Sequence, residues 1–233
     1  MICIVIPTYN EKENILKLIN KILSINLNIK LVIVDDSREK LIKLNKIKKV
    51  KYIYRGKKLG RGSAVLIGMR YALKDKNNKI IIEMDADFSH NPKELKRNIN
   101  HFIKNKINFL IASRYIKNSK IVNWPISRRL LSKFSNILAK FLLGVPIKDY
   151  TNGFRFYDRA ATKHIYNNCK NSKSSGFILL SEIALELYNK NFKIDEIQTV
   201  FVNRTRGESK ADLKEIFTSF MGLIKLFLKK KLL

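Results

Sequence analysis

The chain has 233 residues, of which 45% are hydrophobic, enough for one large domain with a full core. Its 47 Lys and Arg outnumber 19 Asp and Glu, and a formal charge of +28 favours polyanionic partners: nucleic acid, anionic lipid or phosphorylated substrates. Two cysteines, Cys3 and Cys169, exclude a disulfide framework or cysteine metal cluster, and no apolar run approaches the ~20 residues that span a bilayer. With Met1 leading directly into a strand, no signal peptide is expected, and the cysteines read as buried, reduced thiols of a cytosolic protein. The charge is unevenly spread: Lys40 to Lys58 holds nine basic residues and Lys96 to Lys148 twelve, neither with an acid.

Ile2 to Ile6 predicts a buried strand, stopped by Pro7-Thr8-Tyr9-Asn10-Glu11. Ile15, Leu18, Ile19, Ile22 and Leu23 recur at helical spacing, and Leu31 to Val34 is a second strand running into Asp35 and Asp36. Lys51 to Tyr54 reads as a third strand, and Gly60-Arg61-Gly62-Ser63 as a turn into a helix over Ala64 to Leu73. Ile80 to Ile82 forms the fourth strand and ends in Asp85-Ala86-Asp87. Asn91 and Pro92 open an amphipathic helix to Lys104, and Phe109 to Ala112 is a fifth strand ending in Ser113-Arg114-Tyr115. This alternation predicts an α/β fold, a mostly parallel, doubly wound sheet with helices on both faces. The second half is less regular: a helix over Ser127 to Leu143, an aromatic turn over Asp149 to Tyr157, and a helix over Leu179 to Asn189. Val200 to Asn203 then suggests a strand, and Arg204 to Lys210 a polar loop. No repeat or low-complexity linker divides residues 1–212, which read as one domain followed by a basic, amphipathic tail over 213–233.

In an open parallel sheet ligands bind beyond the carboxyl ends of the strands, where two strands here end in acids. Asp85 and Asp87 suit a shared hard cation, with Ser89 offering another oxygen; a solvated, capped turn explains the same residues equally well. The Gly60 loop fits neither a dinucleotide fingerprint, because Val65 stands at the third glycine position, nor a phosphate loop, because no Gly-Lys-Ser/Thr triplet exists. Its glycines let the backbone bend close to a ligand or a neighbouring strand. His90, His101 and His164 are scattered and support no catalytic triad, while Phe154, Phe156 and Tyr157 read as core.

Seven motifs in order carry a resemblance: P-T-Y-N-E (7–11), V-D-D (34–36), K-L-G-R-G-S-A (58–64), M-D-A-D-F-S-H (84–90), S-R-Y (113–115), D-Y-T-N-G-F-R (149–155) and R-T-R-G-E-S-K (204–210). From Met1 to about Leu228 the chain resembles the dolichyl-phosphate mannosyltransferases without transmembrane helices, inverting family-2 glycosyltransferases of the GT-A fold. The resemblance implies GDP-mannose as donor, dolichyl or polyprenyl phosphate as acceptor, and Mg²⁺ or Mn²⁺ as cofactor. It implies that Pro7, Tyr9 and Glu11 hold the nucleotide, with Val34 and Asp36 around its base and ribose. Asp85, Ala86 and Asp87 would contact the nucleotide sugar, Asp87 and Ser89 the metal, and Arg114, Arg204 and Lys210 the phosphates. After Asp36 many relatives continue Gly-Ser, where this chain has Ser37-Arg38, so another nucleotide sugar such as UDP-glucose stays open. Arg128 and Arg129, in the acid-free stretch, are candidates for the acceptor phosphate, and Asp87, Arg114 and Arg128 for the catalytic set.

A lipid-phosphate acceptor places the protein peripherally on the cytosolic face of a membrane, the endoplasmic reticulum in a eukaryote or the plasma membrane in a prokaryote. In the tail, Leu213, Ile216, Phe217, Phe220, Ile224, Phe227 and Leu228 share one helical face, suited to a membrane surface or a small membrane-embedded partner subunit. A basic nucleic-acid-binding protein is the reading from another class; no recognition module supports it, and no nucleic acid is expected.

Overall fold

Continuous apolar runs such as Ile2 to Ile6 and Ile80 to Ile82 form strands here because helices cover both faces of the sheet. A computed structural model describes residues 1–172, 176–203 and 213–231. The first half alternates β1 (Ile2–Thr8), α1 (Lys12–Leu23), β2 (Ile29–Asp35), β3 (Val50–Tyr54), α2 (Arg61–Lys74), β4 (Ile80–Glu83), α3 (Leu95–Lys104) and β5 (Phe109–Ser113). There follow β6 (Lys120–Val122), α4 (Ile126–Leu143), β7 (Arg155–Asp158), α5 (Arg159–Cys169), α6 (Gly176–Asn189), β8 (Ile194–Gln198), β9 (Val200–Val202) and α7 (Leu213–Lys231).

Seven strands join in the order β3-β2-β1-β4-β7-β5-β8, and β6 pairs β9 in a separate parallel ribbon. All pairs of the large sheet are parallel except those of β7, which runs antiparallel between β4 and β5. The Asp149 to Tyr157 stretch is therefore not all turn: its last residues enter the middle of the sheet. Phe156 packs on one face and Tyr157 on the other, so a strand buried on both sides shows no polar alternation in sequence. Three further elements escaped the sequence reading: the short β6, α5, whose N-cap Asp158 accepts the Ala161 N–H, and β8, a half-buried strand without an apolar run.

Ile15, Leu18, Ile19 and Ile22 of α1 and Leu95, Ile99 and Phe102 of α3 close one face of the sheet. On the opposite face Ala64, Val65 and Met69 of α2 join Ile165 of α5 and Leu179 and Ile183 of α6. Cys3 and Cys169 are buried and form no disulfide, and burial pushes the Cys3 pKa up to about 12. The tail helix α7 packs against α4 and α6, with Leu223 and Leu226 buried in the same core. Lys230 Nζ also donates to the Leu143 carbonyl at the end of α4, at 2.7 Å. Leu223 and Leu226, the buried residues among those of α7 whose burial is described, thus lie outside the expected stripe, while Phe220 and Leu228 of that stripe are exposed together with Met221. Among the described residues no helix is long and apolar enough to cross a membrane.

Candidate active site

The strand order reverses direction between β1 and β4, and crevices at such switch points lie beyond the carboxyl ends of the strands. Thr8 at the end of β1 pairs in register with Asp35 of β2, and Met84 N donates to the Val5 carbonyl, so three motif-bearing strand ends share one edge. Pro7 and Val34 are buried in their strands, whereas the Tyr9 ring is exposed with Lys58 Nζ 5.1 Å from its centroid. Glu11 begins α1 and accepts the Asn14 side-chain amide at 2.7 Å. Ser37 Oγ joins the first two loops, accepting the Asn10 N–H at 2.8 Å and donating to Asp35.

The paired acids of β2 hold loops in place. Asp35 accepts from Ser37 and from the Tyr52 hydroxyl. Asp36 accepts the Leu59 and Gly60 N–H groups at 2.8 and 2.9 Å and pairs with Arg55, and so anchors the loop that starts α2. Gly60 has φ 94°, a conformation that side chains disfavour, and this turns Arg61 back toward the sheet edge. Arg61 Nη1 pairs with the fully buried Glu83 at 2.5 Å, while Nη2 and Nε donate to Asp85 Oδ1 at 2.7 and 2.9 Å. Burial pushes the Asp85 carboxyl up, but neighbouring cations, Arg61 foremost, outweigh it and hold its pKa below the ordinary value.

The turn after β4 is built around Phe88, whose φ of 63° is rare for an aromatic residue. That geometry lets Ser89 N–H reach Asp87 Oδ1 at 3.0 Å. Ala86 is buried, whereas Asp85 and Asp87 are partly exposed. Buried His90 accepts the Asp85 N–H at Nδ1, which leaves Nε2 to donate to Asn152 Oδ1 at 2.9 Å. Its ring stacks on Phe154, and Asn152 Nδ2 donates to the Ala112 carbonyl, so the loop after β4 is tied to the loop before β7.

Arg114, at the end of β5, is buried and bidentate to Asp149 at 2.8 Å for each contact, and Nη2 also donates to Thr151. Burial favours a neutral Asp149, but the Arg114 charge and hydrogen bonds outweigh it and lower the pKa of that carboxyl. The Arg114 guanidinium is surrounded by the rings of Tyr115, Trp124 and Phe201. Arg128 lies 4.2 Å from the Trp124 centroid and donates to Asn203 Oδ1, while Arg129 Nη2 donates to the Ile121 carbonyl at 2.8 Å. The structure thus brings Asp85, Asp87, Ser89 and the Arg114 cluster to one side of the sheet. Arg204 and Lys210 lie outside the described residues.

Ser89 Oγ is buried with no hydrogen-bond partner among the described residues, beside a partly exposed carboxylate. An unpaired hard oxygen next to Asp87 fits a divalent cation. No three His, Cys, Asp or Glu side chains converge to hold a metal among the described residues. A small ligand set matches the way Mg²⁺ binds, through one or two carboxylates completed by substrate phosphates.

Sequence reasoning missed Arg61, Glu83 and Asn152 as site residues. Glu83 at the end of an apolar strand was a visible signal, because a buried acid there requires a cationic partner. Gly153 gave no such signal: a Cβ there would collide with Arg61 Nη2 and lie 2.8 Å from its Cζ, so only glycine leaves room for the guanidinium.

The model of glycosyl transferase family 2 matches residues 3–166. The chain is 32% identical over 214 residues to a polyprenol monophosphomannose synthase of Mycolicibacterium smegmatis, covering 89% of this chain and 79% of that protein. It is 35% identical over 225 residues to a dolichol-phosphate mannosyltransferase of Pyrococcus furiosus, covering 93% of this chain and 60% of that longer protein. Among solved structures, glucosyl-3-phosphoglycerate synthase from Mycobacterium tuberculosis with Mn²⁺, UDP and glucosyl-3-phosphoglycerate superposes with a TM-score of 0.69 at 14% identity. That match covers 98% of this chain and 79% of the other, and shares the GT-A fold. Its family model, its relatives and its fold agree, and the chain belongs to glycosyl transferase family 2.

Proposed function

We propose that the protein transfers mannose from GDP-mannose to the phosphate of a dolichyl or other polyprenyl phosphate, with inversion at the anomeric carbon. The observation that carries this reading is the similarity, over about nine-tenths of the chain, to two proteins named for polyprenol- or dolichol-linked mannosyl transfer. An acceptor phosphate oxygen forms the new bond to the anomeric carbon as the bond to the diphosphate breaks, and GDP leaves. A phosphate monoester is already anionic near neutral pH, its second pKa lying near ~6, so no base need take a proton from it. His90 suits that economy, since both its ring nitrogens are engaged in structural bonds.

In this reading Asp85, held ionised by Arg61, accepts hydroxyls of the donor, while Asp87 and Ser89 hold Mg²⁺ or Mn²⁺. The metal supplies charge that stabilises the departing diphosphate. Pro7, Tyr9, Glu11, Val34 and Asp36 frame the nucleotide, Arg114, Arg204 and Lys210 its phosphates, and Arg128 with Arg129 the acceptor phosphate. The protein works peripherally at a membrane, where its acceptor resides. Release of GDP or UDP from a panel of nucleotide sugars, with polyprenyl phosphate and with or without metal, tests the reading. Turnover only with GDP-mannose supports it; turnover with UDP-glucose instead, or with no sugar donor, overturns it.

A further inference from the structure

We propose that the exposed face of α4 docks on an anionic lipid bilayer; the proposal rests on the polyprenyl-phosphate reading above. Ile126, Leu130, Phe134, Ile137 and Phe141 are between 59% and 84% exposed. Their spacing of four, four, three and four residues confines them to an arc of roughly 80°, at ~100° per residue. They extend about 22 Å along the helix. Single exposed apolar residues are ordinary, but a continuous stripe on one helix marks an interaction surface.

The stripe is not needed to hold α4 in the fold. The other side of the helix is already packed through Asn136, Ala139 and Leu143, the last two in the core with Leu223 and Leu226 of α7. Beside the stripe, along one edge, lie the exposed cations Arg129, Lys133 and Lys140, and residues 96–148 contain no acid. Neighbouring α7 adds exposed Phe220, Met221 and Leu228 with exposed Lys225. An apolar face bordered by cations is the pattern of a helix lying in the headgroup plane of an anionic membrane. A second copy fits poorly, because the helix offers no acid to pair with the cations of its twin. Arg128, at the same end of α4, projects from the opposite side of the helix and covers Trp124, so it takes no part in the stripe.

The test is cosedimentation of the full chain with protein-free vesicles of phosphatidylcholine, with and without phosphatidylglycerol. No donor or acceptor is present, so the result is independent of the catalytic reading, which is checked separately by GDP release with a short-chain, water-soluble polyprenyl phosphate. Wild type is expected on the anionic vesicles. Phe134→Asp combined with Phe141→Asp should weaken partitioning at least about tenfold, and leave turnover of the soluble acceptor unchanged. Lys133→Glu with Lys140→Glu should remove the preference for anionic vesicles, and it decides the matter if the aspartate pair melts at a lower temperature. Wild type that ignores protein-free vesicles, as expected if a protein partner covers the stripe, overturns the proposal. Equal partitioning of wild type and both variants overturns it too.

Discussion

Arg61→Leu should destabilise the protein and move its activity away from acid. The guanidinium is shared between Glu83, whose side chain is fully buried, and Asp85, whose side chain is 29% exposed. Removing it leaves Glu83 with the Tyr157 hydroxyl, at 3.0 Å. Breaking a buried pair from one side costs about 3–5 kcal/mol. The more exposed Asp85 arm adds little. Glu83 can also relieve its burial by taking up a proton, so the lower end, about 3 kcal/mol, applies. At about 2–4 °C per kcal/mol for a chain of this size, the melting temperature should fall by roughly 6–12 °C. Adding Glu83→Gln, which removes the stranded charge, should restore most of that loss.

The pH dependence separates positioning from simple support. Arg61 keeps the Asp85 pKa below its ordinary value, so the stability this pair contributes is present above that ordinary value and lost as pH falls through the depressed one. Without Arg61, burial prevails and the pKa rises, so the acidic limb of kcat/KM for the donor should move to higher pH. Gly153→Ala should act in the same direction while Arg61 itself remains, because the new Cβ would occupy the place of the guanidinium. Scanning fluorimetry with donor kinetics across pH tests both variants. An unchanged melting temperature together with an unmoved acidic limb in Arg61→Leu would refute the reasoning.

Asp87→Asn should abolish metal-dependent transfer in a folded protein, and Ser89→Ala should raise the metal concentration needed for half-maximal rate; near-normal turnover of Asp87→Asn excludes the metal assignment. His90→Gln should slow transfer by loosening the Asp85 loop, yet leave the acidic limb of kcat/KM for the acceptor where ionisation of the lipid phosphate sets it; loss of that limb would instead make His90 a base. Asp149→Asn strands Arg114 in a site where its side chain is 4% exposed, at about 3–5 kcal/mol. Because the Asp149 pKa is lowered, the wild type should lose this stability as pH falls through that depressed value, and urea titrations should show a flatter acid response in the variant.

Much of the frame was legible because its signals are local. The apolar runs of β1, β2 and β4, the periodic α1 and α3, and the carboxylates at strand ends need only neighbours in sequence to be read. What stayed hidden depends on partners far along the chain. β7 is a strand because β4 and β5 stand on either side of it, about 75 and 46 residues earlier. β8 is half polar because only part of it is covered, and polar residues at an edge look like loop. Arg61 reads as a surface residue of a glycine turn until Glu83 and Gly153 are placed around it. The α4 stripe was legible as a helix, but its exposure was not, since an apolar face predicts burial and sequence does not say against what.

Two aspartates one residue apart come to differ because the chain treats them differently, not because their chemistry does. Asp85 directly follows the buried Met84 and meets Arg61 projecting from α2, so Oδ1 is already paired and its negative charge is partly neutralised. A cation gains less from such a carboxylate, whereas a sugar hydroxyl can still donate to the second oxygen. Asp87 lies beyond Ala86, where Phe88 turns the backbone left-handed, and the bond it receives from Ser89 is a neutral backbone N–H that leaves its charge intact. In the proposed reading that oxygen pair would serve a metal, beside the buried Ser89 hydroxyl that has no partner among the described residues. Under the proposed function, charge neutralisation at one acid and its preservation at the next would give a single tripeptide two roles, and Arg61, paired with Asp85 alone of the two, would be the residue on which that division depends.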